Sequence, residues 1–162
     1  MEKIASFQIN HLLLRPGLYV SRKDTFDGAV ITTFDLRFKA PNIEPAIDQP
    51  ALHTMEHLCA TFLRNHKEWG PRIVYFGPMG CRTGSYVVMH GDLSSSDVLP
   101  VMREMCAWFL DFEGEVPGAA PEDCGNYLEH NLTIAKWEIR LWAEVLAHAG
   151  PEQLIYPPKN PG

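Results

Sequence analysis

Residues 28–39 alternate. Val30, Thr32, Phe34, Leu36 and Phe38 share one face, and Ile31, Thr33, Asp35, Arg37 and Lys39 share the other, which predicts a strand. The first face reads as buried. The second becomes charged toward its end, which suits either a solvated face or a strand reaching the rim of a site. Shorter apolar runs predict strands over 72–76 and 85–90. Helical spacing takes over from residue 51, where Leu52, Met55, Cys59, Phe62 and Leu63 form one flank, with Asp48 and Pro50 as cap and first-turn proline. A second helix follows the cap candidates Ser94, Ser95 and Ser96 to about residue 111, with Leu99, Met102, Met105, Cys106, Phe109 and Leu110 inward. The last helical region is expected to open at Cys124 and run to about His148, with a stripe of Leu128, Leu132, Ala135, Ile139, Trp142 and Leu146.

Between these lie punctuated stretches. The first twenty-five residues read as short extended pieces and turns, with a strand edge over 6–9 and turns at 15–17 and 23–28. Three prolines make 41–50 a loop, and 113–123 is another. The tail from Tyr156 is expected to fray or to drape over a neighbour. The order of elements predicts an α+β fold in one domain spanning 1–162, a two-layer sandwich with an antiparallel sheet packed against helices.

Composition narrows the function. A formal charge of -6, from 14 basic and 20 acidic side chains, argues against a nucleic-acid surface. The amino terminus lacks a signal-peptide pattern, and no run approaches the roughly eighteen apolar residues of a membrane helix, so a cytoplasmic protein is expected. The cysteines at 59, 81, 106 and 124 form no C-x-x-C hook and no disulfide framework. Cys59 and Cys106 read as buried hydrophobes, whereas Cys81 and Cys124 stand beside glycines in irregular stretches.

The chemistry concentrates in His53-Thr54-Met55-Glu56-His57. On a helix the two histidines and the glutamate share a face, so the imidazoles can grip one divalent ion while the carboxylate moves a proton. A catalytic metal usually takes three protein ligands and keeps one open position. Cys124 is the best third ligand and Cys81 its rival; with one as ligand, the other is left as acid/base. A His-His-Cys set suits Zn or Fe(II). Cys81 lies in Gly77-Pro78-Met79-Gly80-Cys81-Arg82-Thr83-Gly84, a tight loop where the neighbouring Arg82 could lower the thiol's pKa. A hydrolase would need only metal, water and Glu56, so a second reactive thiol points to more than one proton transfer.

Several segments together resemble the S-ribosylhomocysteine lyase (LuxS) family through nearly the whole chain. They are Ser6-Phe7, His11, Phe34-Asp35-Leu36-Arg37-Phe38, His53-Thr54-Met55-Glu56-His57-Leu58, Pro78-Met79-Gly80-Cys81-Arg82-Thr83-Gly84, and Cys124-Gly125-Asn126 with His130 and Ala135-Lys136 following. The resemblance implies cleavage of S-ribosyl-L-homocysteine to L-homocysteine and 4,5-dihydroxy-2,3-pentanedione, a precursor of a quorum-sensing signal and a step of methyl-cycle recycling. It implies Fe(II), with zinc or cobalt able to substitute, on His53, His57 and Cys124, and Cys81 with Glu56 as the acid/base pair. Ser6, His11 and Arg37 would surround the substrate. A homodimer is implied, with sites at the interface lined by both subunits. Familiar members carry Asp-Ile-Ser where this chain has Tyr75-Phe76-Gly77, and an aromatic where it has Ser85.

Overall fold

The computed structural model describes residue 2 and residues 4–158. Four strands form one antiparallel sheet in the order β1-β2-β4-β3, with β1 Gly17–Phe26, β2 Ala29–Arg37, β3 Ile73–Pro78 and β4 Gly84–His90. Helices α1 Gln49–Asn65, α2 Ser95–Asp111, α3 Leu132–Ala147 and the short α4 Pro151–Leu154 complete a compact α+β fold.

Strand β1 corrects the expectation of short pieces and turns over the first twenty-five residues. Its sequence, GLYVSRKDTF, is polar in its second half and only its first half is buried, so hydrophobic alternation stops midway. Pairing with β2 and a closing turn hold it instead. The turn residues Asp27 (φ 48°) and Gly28 (φ 83°) both sit in the left-handed region, the geometry that matches the twist of a two-residue hairpin. The strand edge expected over 6–9 is also absent; Ala5–Phe7 is a 3-10 turn.

The α1 expectation holds in outline. Asp48 is the cap position with a proline just inside, although its side chain makes no capping hydrogen bond. Leu52, Met55, Cys59 and Leu63 are buried as the spacing predicts, joined by Ala51 and Leu58. Ser94 caps α2 with a full capping box to Asp97, and Pro100 is accommodated within the helix. Helix α3 begins later than expected, at Leu132, because Asn131 accepts from the Ile134 amide as its cap. Leu128 therefore lies outside the stripe and is 80% exposed. The helices cover one face of the sheet, and Leu18, Phe34, Leu36, Val87 and Met89 meet α1, α2 and α3 side chains in one core cluster that includes Trp142.

The other sheet face is not a solvated one. Asp35, Arg37 and Lys39 are all buried. Across the strands Tyr19, Asp35, Tyr86 and Gly77 are successive register partners, and Gly17, Arg37 and Gly84 form the next row. The tail contributes here: the Tyr156 ring stacks on Tyr19 at 4.8 Å and its hydroxyl donates to Asp35 Oδ2 at 2.6 Å. Lys39 is tied to Glu138 of α3 by an ion pair of 2.5 Å. Among the described residues no helix is long and apolar enough to cross a membrane.

Replacing Gly28 by Ala puts a side chain into a left-handed position with open space around it. The cost is then conformational alone, about 1 kcal/mol. Urea unfolding should show a lower midpoint at unchanged slope, while Gly28→Asn, which tolerates that region, loses less.

Candidate active site

The structure gathers the chemically capable side chains into two groups. The first stands on α1, where His53 and His57 lie one turn apart with Glu56 beside them. Each histidine is held by its Nδ1, His53 on the Glu129 carbonyl at 2.9 Å and His57 on the Pro117 carbonyl at 2.7 Å. A ring nitrogen bonded to a carbonyl must carry the proton, which leaves Nε2 with its lone pair free. The segment that supplies both carbonyls approaches closely at Gly118. Its φ is 72°, and a Cβ there would lie 3.3 Å from His57 Nδ1. Cys124 Sγ stands 3.4 Å from His53 Nε2 and accepts from the Asn126 amide at 3.4 Å. Cys124 lies in irregular turns well before α3, not at the start of the last helix where the sequence placed it.

A fourth member escaped the sequence reading, where His130 appeared only as part of a motif. Its Nδ1 is 3.1 Å from Thr54 Oγ1. The Thr54 hydroxyl gives its one proton to the Pro50 carbonyl and accepts the Asn131 amide, so toward His130 it can only accept. His130 Nδ1 therefore donates, and Nε2 carries a lone pair that is buried with no hydrogen-bond partner. Burial, then the neighbouring His53 and His57 rings, hold the His130 pKa below its ordinary value. One ligand atom from each of His53, His57, Cys124 and His130 lies within 4.8 Å of the others. Three imidazole lone pairs and a thiol converging on one point are a donor set for a borderline divalent ion. The Glu56 carboxylate beside the two rings is half-buried.

The second group surrounds Cys81 at the tip of the β3–β4 hairpin. Arg82, at φ 58°, takes the left-handed position, and the Arg82 carbonyl receives the Ile47 amide, which pins the loop. Gly80 faces open space, whereas a Cβ at Gly84 would lie 2.6 Å from the Leu36 carbonyl. The close approach is thus strand to strand. A cavity of about 400 Å³ is lined by Ser6, His11, Arg37, Met79, Cys81 and Tyr86, with Phe7, Pro78 and Gly80. His11 is oriented by Nδ1 on the Ile9 carbonyl at 2.9 Å. Cys81 Sγ lies 3.2 Å from Thr83 Oγ1 and 4.0 Å from Arg37 Nη1. Burial opposes its thiolate, but the Thr83 hydroxyl and amide and the Arg37 guanidinium outweigh burial and lower the thiol's pKa. Arg37 and Thr83 thus take the part that the sequence reading gave to the neighbouring Arg82, whose side chain bonds the Ile47 carbonyl at 3.3 Å.

Tyr75 turns outward over Gly77, where a Cβ would collide with its hydroxyl, so the tyrosine and the glycine fit as a pair. Ser85 is buried beneath, its Oγ without a hydrogen-bond partner. Neither His53, Glu56, His57 nor Cys124 lines the Cys81 cavity. A larger cavity of about 680 Å³, between the start of α2 and α4, contains none of these groups.

A relative from Phocaeicola vulgatus, named S-ribosylhomocysteine lyase, is 57% identical over 161 residues, covering 99% of this chain and 100% of the relative. Relatives of the same name from Porphyromonas gingivalis and Clostridium acetobutylicum are 56% and 54% identical, each over 97% of this chain and 99% of the relative. The S-ribosylhomocysteinase (LuxS) family model matches residues 4–151, which contain both groups of side chains, and the chain belongs to that family.

Proposed function

We propose that the S-ribosylhomocysteine lyase activity of this chain is divided between the two groups, and that a complete site forms only when two copies associate. The observation that carries this reading is the separation itself: the thiol suited to proton transfer and the metal-capable cluster share no cavity wall. Exposed apolar side chains flank both. Phe7 lines the Cys81 cavity and is 67% exposed, Leu12 follows His11 and is 68% exposed, and Leu128 follows Cys124. Apolar surface of this kind favours burial against a partner. The partner of choice is a second copy, whose Cys81 would face the first copy's His53, His57 and Cys124.

His53, His57 and Cys124 would hold the ion, Fe(II) or a substitute such as zinc or cobalt, with the His130 lone pair aimed at the same point. The ion's contribution would be that of a Lewis acid, drawing density from a substrate carbonyl so that the neighbouring C–H becomes acidic. The chain's own groups do the rest. Cys81, as the thiolate that Thr83 and Arg37 favour, takes the C2 proton of the opened sugar and returns one to C1, moving the carbonyl to C2. A second exchange moves it to C3. Glu56, across the site, takes the C4 proton, and the resulting C3 enolate expels the homocysteine thiolate from C5. Protonation at C5 completes the dihydroxypentanedione. Ser6, His11 and Arg37 would orient the substrate's polar groups within the cavity. The whole chain would act as one cytoplasmic lyase domain that needs neither nucleic acid nor membrane.

Thiol release from S-ribosylhomocysteine tests the reading. Cys81→Ala and Glu56→Gln, at equal metal content, should each lose about 10²- to 10⁴-fold in rate. When the two variants are coexpressed, random pairing makes about half the dimers mixed, each with one intact site, so about a quarter of wild-type activity returns. No recovery would place both residues in one copy's site and end the shared-site reading. Chelator competition should find metal binding to His130→Ala weaker by about 10- to 100-fold.

A further inference from the structure

The carboxy-terminal segment reaches the Cys81 group through a chain of contacts whose middle members are buried. The Tyr156 hydroxyl donates to Asp35 Oδ2 at 2.6 Å. The same carboxylate receives Arg37 twice, Nη2 on Oδ2 at 2.6 Å and Nε on Oδ1 at 3.1 Å. With two of its three nitrogens on Asp35, Arg37 has only Nη1 left, and this atom donates to Thr83 Oγ1 at 2.7 Å while standing 4.0 Å from Cys81 Sγ. Asp35 is 0% and Arg37 2% exposed, so the carboxylate has no water to turn to for an alternative partner. Burial, then the Asp35 charge, raises the Tyr156 pKa well above its ordinary value, so the phenol remains a donor across the working pH range. Tyr156 lies beyond residue 151, where the family match ends.

We propose that Tyr156 is a positioning residue, whose hydroxyl anchors Asp35 so that Arg37 presents Nη1 to Thr83 and Cys81. The hydroxyl acts in two ways. It fixes the rotamer of Asp35, and it draws density from the carboxylate, so that less of the guanidinium's charge is cancelled before it reaches the thiol. Loss of either disfavours the Cys81 thiolate. The other titratable groups that face Cys81 are Tyr86 from β4 and His11 from the amino-terminal segment. Facing Asp35 are Arg37, Tyr86 and Tyr19, with Arg15 near Tyr19. Tyr19 gives its hydroxyl to the backbone carbonyls of Arg15 and Glu152 rather than to Asp35, which makes it an internal control.

This inference rests on Cys81 being a proton-transfer group, and its test does not require turnover. Iodoacetamide alkylation of the metal-loaded protein, resolved at the Cys81 peptide by mass spectrometry, is followed against pH. Tyr156→Phe keeps the ring that stacks on Tyr19 and removes only the hydroxyl. Its profile should move to higher pH, with alkylation slowed by about threefold at neutral pH, the scale of one modest hydrogen bond. A chain ending at Ile155 should move the same way, and Tyr19→Phe should lower thermal stability and leave the profile in place. A Tyr156→Phe profile superimposed on wild type, or an equal shift in Tyr19→Phe, would overturn the proposal, because the tail would then be a strut alone. The lyase pH–rate profile, measured separately, reports on the role of Cys81. Wild type that releases no thiol would sink that role and leave the alkylation result standing as a statement about the contacts.

Discussion

The ion pair between Asp35 and Arg37 is the constraint around which the rest of this molecule is arranged. A charged pair with almost no exposure is costly to desolvate, and it persists only where every remaining polar atom is met. Here Tyr156 and Thr83 meet them. The pair sits in the middle of the sheet on the face opposite the helices, so the amino-terminal segment, the tail and the β3–β4 hairpin must all close over it. Arg37 is flanked in register by Gly17 and Gly84, where a Cβ would meet the Tyr19 ring and the Leu36 carbonyl respectively. Removing one partner of such a pair costs about 3 to 5 kcal/mol, since the other is left charged and buried. The same arrangement that stabilises this face is what brings a guanidinium nitrogen to the Cys81 thiol.

The histidine cluster is organised on a different principle. It depends on backbone carbonyls supplied by an irregular segment, which hold two rings by one nitrogen and turn the other inward. Thr54 does the same for His130 by spending its only proton elsewhere. Such a cluster needs little regular structure around it. It needs a rigid helix to space the rings and a loop that can approach closely, and Gly118 meets the second requirement.

One helix, α1, links the two sides of the molecule. Its inner flank packs in the core against the sheet while its other face carries His53 and His57. The hairpin bearing Cys81 is bound to the segment just before α1 through Ile47 and Arg82. The two groups therefore share a scaffold without sharing a cavity, an arrangement that suits completion by a second copy.

Much of this was legible in the sequence because it depends on short-range spacing. The i, i+4 histidines, the Ser94 cap, the α1 and α2 stripes and the tight turn that carries Cys81 follow from helix geometry and turn chemistry over a few residues. The motif combination was equally local, and it carried the family. What the sequence did not disclose involves contacts distant along the chain. Strand β1 is polar over half its length and exists because β2 pairs with it. The charged face of β2 resembles a solvated one until residues 121 positions away cover it. His130 carries no local mark of ligation; only the proton accounting at Thr54, set by three separate segments, aims its lone pair at the cluster. Local stereochemistry chose the elements and the reactive residue types. Tertiary packing alone decided which charges were buried, which nitrogen of each ring was free, and that the Cys81 cavity and the histidine cluster stand apart.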